Sequence, residues 1–229
     1  MENIIILHGA LGVAEDLKSL AISLKNYDFN VYTFSFSGHS KTAFNSNFGI
    51  EQFSDELNDF IIQNALKRPD IFGYSMGGYV AMYLASKQKD FIGKIITLGT
   101  KFNWSNETVE KETKMLNPDT ILAKVPAFAK LLEEKHGEHW KTLALKTAGM
   151  MKEIGEKAFL NDDNLKALET SILLGLADRD QMVTLDETRN VFTQLPNAAM
   201  YMLPQSKHQI ESVDTDLLGR LIKDFILVK

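Results

Sequence analysis

The sequence predicts an α/β protein built on a doubly wound, mostly parallel sheet of six strands. Three observations carry that expectation. Short apolar runs alternate with helix-spaced amphipathic segments along the 229 residues, and such alternation implies crossover helices between parallel strands. The first run, Asn3 to Leu7, is apolar almost throughout rather than alternating, as expected of a strand covered on both faces. Finally, a serine, an aspartate and a histidine follow successive runs, where open α/β sheets hold their ligands.

The elements follow in order. Asn3 to Leu7 is the first strand, and it ends in the turn His8-Gly9-Ala10-Leu11-Gly12. Glu15 to Lys25 has helical spacing through Leu17, Leu20, Ala21 and Leu24. Val31 to Phe36 is the second strand, ending in Ser37-Gly38-His39-Ser40, and the polar stretch to Asn47 reads as loop. Ile50 to Leu66 places Phe53, Leu57, Phe60 and Ile61 on one helical face. Pro69 resets the chain before a short third strand, Asp70-Ile71-Phe72, which leads to Ser75. A helix over Tyr79 to Ser86 and a strand over Lys94 to Leu98 come next.

The alternation then stops. From Lys101 to about Lys166 the patterns are helical, and the segment holds Trp104, Trp140, Phe102, Phe128, Phe159, Met115, Met150 and Met151. It reads as an insertion at 101–166 in a core formed by 1–100 and 167–229, with the sheet's own strands expected to carry the main core. Ser171 to Leu176 resumes the strands. Thr184 to Gln194 is a helix with Thr184 as N-cap and Glu187 as its capping-box partner. Ala198 to Leu203 is the last strand, Pro204 to His208 its exit loop, and Asp214 to Val228 a closing helix.

Composition narrows the function. An apolar content of 45% and a charged content of 24% are ordinary for a globular protein. The net charge of -5 argues against nucleic acid and against a basic membrane-facing surface. No run approaches the length of a bilayer span. The chain has no cysteine, which excludes disulfides, thiolate catalysis and zinc–thiolate sites. A cytoplasmic location is expected, with no cofactor, no metal and a small-molecule partner; oligomeric state is left open.

Gly73-Tyr74-Ser75-Met76-Gly77-Gly78 is the most informative stretch. Strand, sharp turn and helix follow one another there. A serine on such a turn has its hydroxyl pushed clear of the sheet, and glycines on either side relieve the crowding between strand and helix. Met76 falls in the first helical turn, where free N–H groups and the dipole favour a developing oxyanion.

With His8-Gly9 after the first strand, Gly38-His39-Ser40 after the second, the Gly73–Gly77 elbow, and Asp180 and His208 near the end, the chain resembles the α/β-hydrolase fold superfamily. The resemblance implies a Ser75–His208–Asp180 triad, an oxyanion hole from the N–H groups of Ala10 and Met76, and a helical cap before the acid. It also implies that two leading strands found in larger members are missing. Spacing to Val183 favours Asp180 as the acid, with Asp178 the alternative. Leu11, Tyr74, Trp104 and Trp140 are the candidate substrate contacts. His8 is expected to brace the oxyanion turn, His39 to be a turn residue, and His136 and His139 to be solvated in a charged helical stretch.

The function implied is a serine hydrolase cleaving an ester or thioester of a small, largely uncharged, apolar acyl group. A slow ligand sensor, an acyltransferase and a carbon–carbon bond hydrolase on the same triad are the alternatives.

Overall fold

In the computed structural model, which describes residues 1–227, six parallel strands form one sheet in the order β2-β1-β3-β4-β5-β6. They are β1 (Asn3–Leu7), β2 (Asn30–Thr33), β3 (Asp70–Tyr74), β4 (Ile95–Leu98), β5 (Ile172–Ala177) and β6 (Ala198–Leu203). Among the described residues no antiparallel strand precedes the first turn, as the apolar start of the chain predicts.

Each strand feeds two cores because successive side chains point to opposite faces. Ile5 and Leu7 of β1 and Ile71 of β3 pack on one face, against α2 (Ile50–Gln63) and α3 (Met76–Lys87). Ile4, Ile6 and Phe72 pack on the other, against α1 (Lys18–Lys25) and α10 (Thr215–Leu227). The closing helix is expected to reach Val228, which lies outside the described residues. The crossover from β5 to β6 is α9 (Leu185–Phe192), which starts where Thr184 Oγ1 accepts the Glu187 N–H at 3.2 Å. No helix among the described residues is long and apolar enough to cross a membrane.

Of the boundaries that differ from the sequence expectation, two follow β2 and β3. β2 ends at Thr33, not Phe36. It is an edge strand, and Phe34 and Phe36 leave it to pack on α2: the Phe34 and Phe60 rings stack with centroids 4.6 Å apart. The elbow helix α3 begins at once at Met76 and runs on to Lys87.

Between β4 and β5 the chain forms α4 (Asn106–Met115), α5 (Pro118–Lys124), α6 (Pro126–His136), α7 (Trp140–Lys157) and α8 (Asp162–Lys166). Ser105 and Asn117 cap the first two, accepting N–H groups three residues on at 3.3 Å and 3.0 Å. The insertion has a small core of its own, with Ile121, Leu132, Trp140 and Leu143. It is not separate from the sheet, however. Met150, Ile154, Phe159 and Leu165 join the main cluster beside Ile50, Tyr79 and Tyr83, so the strands do not carry the core alone.

Candidate active site

The elbow is built by close approach. Pairing of Tyr74 with Leu98 sets the end of β3, and the Ser75 N–H donates to the Leu98 carbonyl at 2.8 Å. Ser75 then turns at φ +51°, a left-handed conformation that costs a non-glycine residue on the order of 1–3 kcal/mol. A Cβ on Gly73 would come within 2.3 Å of the Gly78 nitrogen, and one on Gly77 within 2.7 Å of the Leu7 carbonyl oxygen. Only glycine permits α3 to start that near the sheet. Thr100 adds a brace, its hydroxyl donating to the Ser75 carbonyl at 3.0 Å.

Beyond β5 the two aspartates have different surroundings. Asp180 Oδ2 lies 2.7 Å from His208 Nδ1, and its Oδ1 accepts the N–H groups of Met182 and Val183 at 2.8 Å and 2.9 Å. Its side chain is 1% exposed. Burial pushes this carboxyl up, but the hydrogen bond and charge of His208, with the two N–H groups, outweigh it and hold the group below the usual carboxylate value. Asp178 Oδ1 instead accepts the Ser206 N–H at 3.1 Å, and backbone N–H groups of the Gln205–Ser206 turn lower its pKa. Asp178 ties the turn after β6, while Asp180 orients the ring. Tyr74 holds the same loop, donating from its hydroxyl to the His208 carbonyl at 2.9 Å.

The turn after β1 is clamped through His8. Its Nε2 accepts the Phe36 N–H at 3.1 Å, which puts the ring proton on Nδ1, 2.8 Å from the Gly9 carbonyl. The Gly12 N–H donates to the same oxygen at 3.1 Å. Gly9 C=O and Ala10 N–H belong to one planar trans peptide, so fixing the oxygen fixes the N–H on its far side. Burial lowers the His8 pKa to about 4, which keeps the ring neutral.

Ala10, Ser75, Met76 and His208 meet at one cavity of about 40 Å³. The rest of its wall is largely apolar: Ile50, Tyr79, Met182 and Val183, with Trp104, Met150, Met151 and Ile154 from the insertion. One charged pair interrupts it, Lys101 and Glu112, whose Nζ and Oε1 are 3.7 Å apart with side chains 13% and 9% exposed. Lys101 also donates to the Met182 carbonyl, at 2.5 Å.

Of the four candidate substrate contacts, only Trp104 lines the cavity. Tyr74 points to the opposite face of β3 and braces the His208 loop. Trp140 is buried in the insertion's own core, with the Leu11 side chain packed into the same cluster. His136 departs furthest from expectation. It is fully buried, not solvated, and bridges two core loops. Lys101 is a wall residue that the sequence did not single out; its position directly after the β4 exit was the available signal.

Among the described residues no group of three or more histidine, cysteine or acidic side chains could hold a metal ion.

Comparisons with known proteins bear on the fold. The profile of the alpha/beta hydrolase fold matches residues 2–119. A Mycoplasma pneumoniae protein named as an esterase/lipase is 27% identical over 126 residues, 54% of this chain and 46% of its own length. Ethanol acetyltransferase 1 of Hanseniaspora uvarum is 31% identical over 88 residues, 38% of this chain and 26% of its own length. The chain thus matches less than half the length of these curated relatives. A thermophilic esterase from Thermogutta terrifontis superposes with TM-score 0.79 at 17% identity, covering 98% of this chain and 89% of that one, and shows the fold alone. On the profile match, which spans just over half of the sequence, the chain belongs to the alpha/beta hydrolase fold family.

Proposed function

We propose that the protein is a serine hydrolase that cleaves a carboxylic ester or thioester of a small apolar acyl group. The observation that carries this reading is the meeting, at one mostly apolar cavity, of a serine on a strained turn and a histidine paired with a buried aspartate at 2.7 Å.

In this reading His208 Nε2 takes the Ser75 hydroxyl proton as Oγ attacks the acyl carbon, and Asp180 holds the Nδ1–H tautomer and stabilises the imidazolium. The negative charge that forms on the acyl oxygen is met by the N–H groups of Ala10 and Met76, the latter at the positive end of α3. His208 returns the proton to the leaving alcohol or thiol. A water then repeats the sequence on the acyl-enzyme, restoring Ser75 and releasing the acid.

The apolar wall supports an alkyl acyl chain, and a 40 Å³ space supports a short one. The segment 101–166 is the cap of this site, supplying Trp104, Met150, Met151 and Ile154 as the wall that excludes water. The Lys101–Glu112 pair has no net charge, so it supplies one hydrogen-bonding point without demanding an anionic substrate.

Acyl transfer to an alcohol is the second reading, favoured by the match to a protein named as an ethanol acetyltransferase. Turnover of p-nitrophenyl esters from acetate to dodecanoate, with ethanol present and absent, tests both. Hydrolysis falling off beyond short acyl chains, and lost in Ser75→Ala, is the expected result. Ethyl ester exceeding free acid at low ethanol would favour transfer. Equal activity in Ser75→Ala would end the serine mechanism.

A further inference from the structure

His136 closes α6 in a charged stretch, Glu133-Glu134-Lys135-His136, yet it has no exposed surface. Its ring joins two loops that come from the first quarter of the chain. Nδ1 accepts the Ser40 N–H at 2.9 Å. An accepting Nδ1 leaves the proton of the neutral ring on Nε2, which therefore donates to the Leu11 carbonyl at 3.0 Å.

Leu11 follows Ala10 directly and sits at φ +57°, a conformation a leucine keeps only when its surroundings impose it. Two contacts from the insertion do so: His136 holds its carbonyl, and Trp140 shares a buried cluster with its side chain. A third reaches the turn that follows, where Lys135 Nζ lies 2.7 Å from Asp16 Oδ1. The other oxygen of Asp16 accepts the Val13 N–H at 2.9 Å. The Gly9–Ala10 peptide is thus held from the core by His8, and the Leu11–Gly12 peptide from the insertion by His136.

Resting on the acyl-enzyme reading above, we propose that His136 is a positioning residue for the oxyanion turn: its bond to the Leu11 carbonyl keeps the Ala10 N–H aimed at the tetrahedral adduct of Ser75. The insertion is then part of the machinery that stabilises the transition state, beyond its place as a wall of the cavity. A lone donor in an oxyanion hole is worth on the order of 10²–10³ in kcat, and a donor that is misaimed rather than deleted should cost less.

The test compares His136→Gln, His136→Asn and His136→Ala. Glutamine reaches the place of Nε2 and can donate to Leu11; asparagine reaches only the place of Nδ1. The readouts are kcat and KM for p-nitrophenyl acetate, the inhibition constant of phenylboronic acid, whose tetrahedral serine adduct puts an oxygen in the hole, and the melting temperature. The alanine and asparagine variants should lose roughly 10- to 100-fold in kcat with KM within about twofold, and boronate affinity should fall by the same factor. The glutamine variant should return to within about threefold of the parent. If alanine prevents folding, the glutamine–asparagine pair decides the matter. Equal activity of those two, or boronate affinity unchanged while kcat falls with melting temperature, would overturn the proposal. Parent turnover that depends on Ser75, with unimpaired His136 variants, overturns it alone. Turnover independent of Ser75 overturns the acyl-enzyme reading, and this proposal with it.

Discussion

Two carboxylates two residues apart end up on opposite sides of one loop, and their partners decide what each does. Asp180 faces inward, to His208 and two N–H groups. Asp178 faces the turn after β6. Asp180→Asn should therefore lower kcat by about 10⁴, because an amide favours the wrong imidazole tautomer, as in a serine protease triad. Asp178→Asn should cost less than tenfold and act mainly on stability. Steady-state kinetics of the two variants check this, and the reverse order would reassign the acid. Spacing to Val183 favours Asp180 in the sequence, and in the structure Met182 and Val183 supply N–H groups to its second oxygen. The role of His136 was not legible. Its partners lie 96 and 125 residues away, and local charge suggested a solvated helix end.

At the scale of elements, the alternation of strands and helices could be read directly, because every strand but the edges is buried on both faces. The end of β2 could not, because Phe34 and Phe36 satisfy a strand pattern and a helix-packing pattern equally. The insertion was visible as a break in alternation, but its tryptophans could not be told apart from composition. Trp140 is 3% exposed inside the insertion's own cluster, whereas Trp104 lines the cavity. Trp140→Ala should destabilise the protein by about 3–5 kcal/mol through the void it leaves. Trp104→Ala should cost less stability and shift the preferred acyl chain to greater length. Urea melts and the ester series read the two effects. A chain-length shift in Trp140→Ala with none in Trp104→Ala would mean that the cavity wall is misassigned.

For the whole molecule, burial of neutral histidines sets the response to acid. Burial lowers the pKa of His8 to about 4 and also lowers those of His39 and His136. Between pH 6.5 and these lower values the unfolded chain takes up protons that the fold refuses, so stability is fully present above pH 6.5 and is lost as pH falls. Asp70 runs the other way. Burial raises its carboxyl to about 6, so the fold binds the extra proton, and that contribution is lost as pH rises from about 4 to 6. Three groups oppose one. Unfolding free energy should drop by on the order of 2 kcal/mol from pH 7 to pH 5, measured by urea titration, and a rise over that interval would show that Asp70 dominates.

If His208 and Asp180 activate Ser75, that serine forms a covalent adduct with a reactive acyl or phosphonyl group. The most direct measurement is intact mass after brief exposure to a fluorophosphonate, followed by peptide mapping. One phosphonyl group per chain is expected, located on Ser75, with labelling slowed by at least about 10²-fold in Asp180→Asn and absent in Ser75→Ala. Labelling at another residue, or labelling of Ser75 at the same rate when Asp180 is changed, would contradict it.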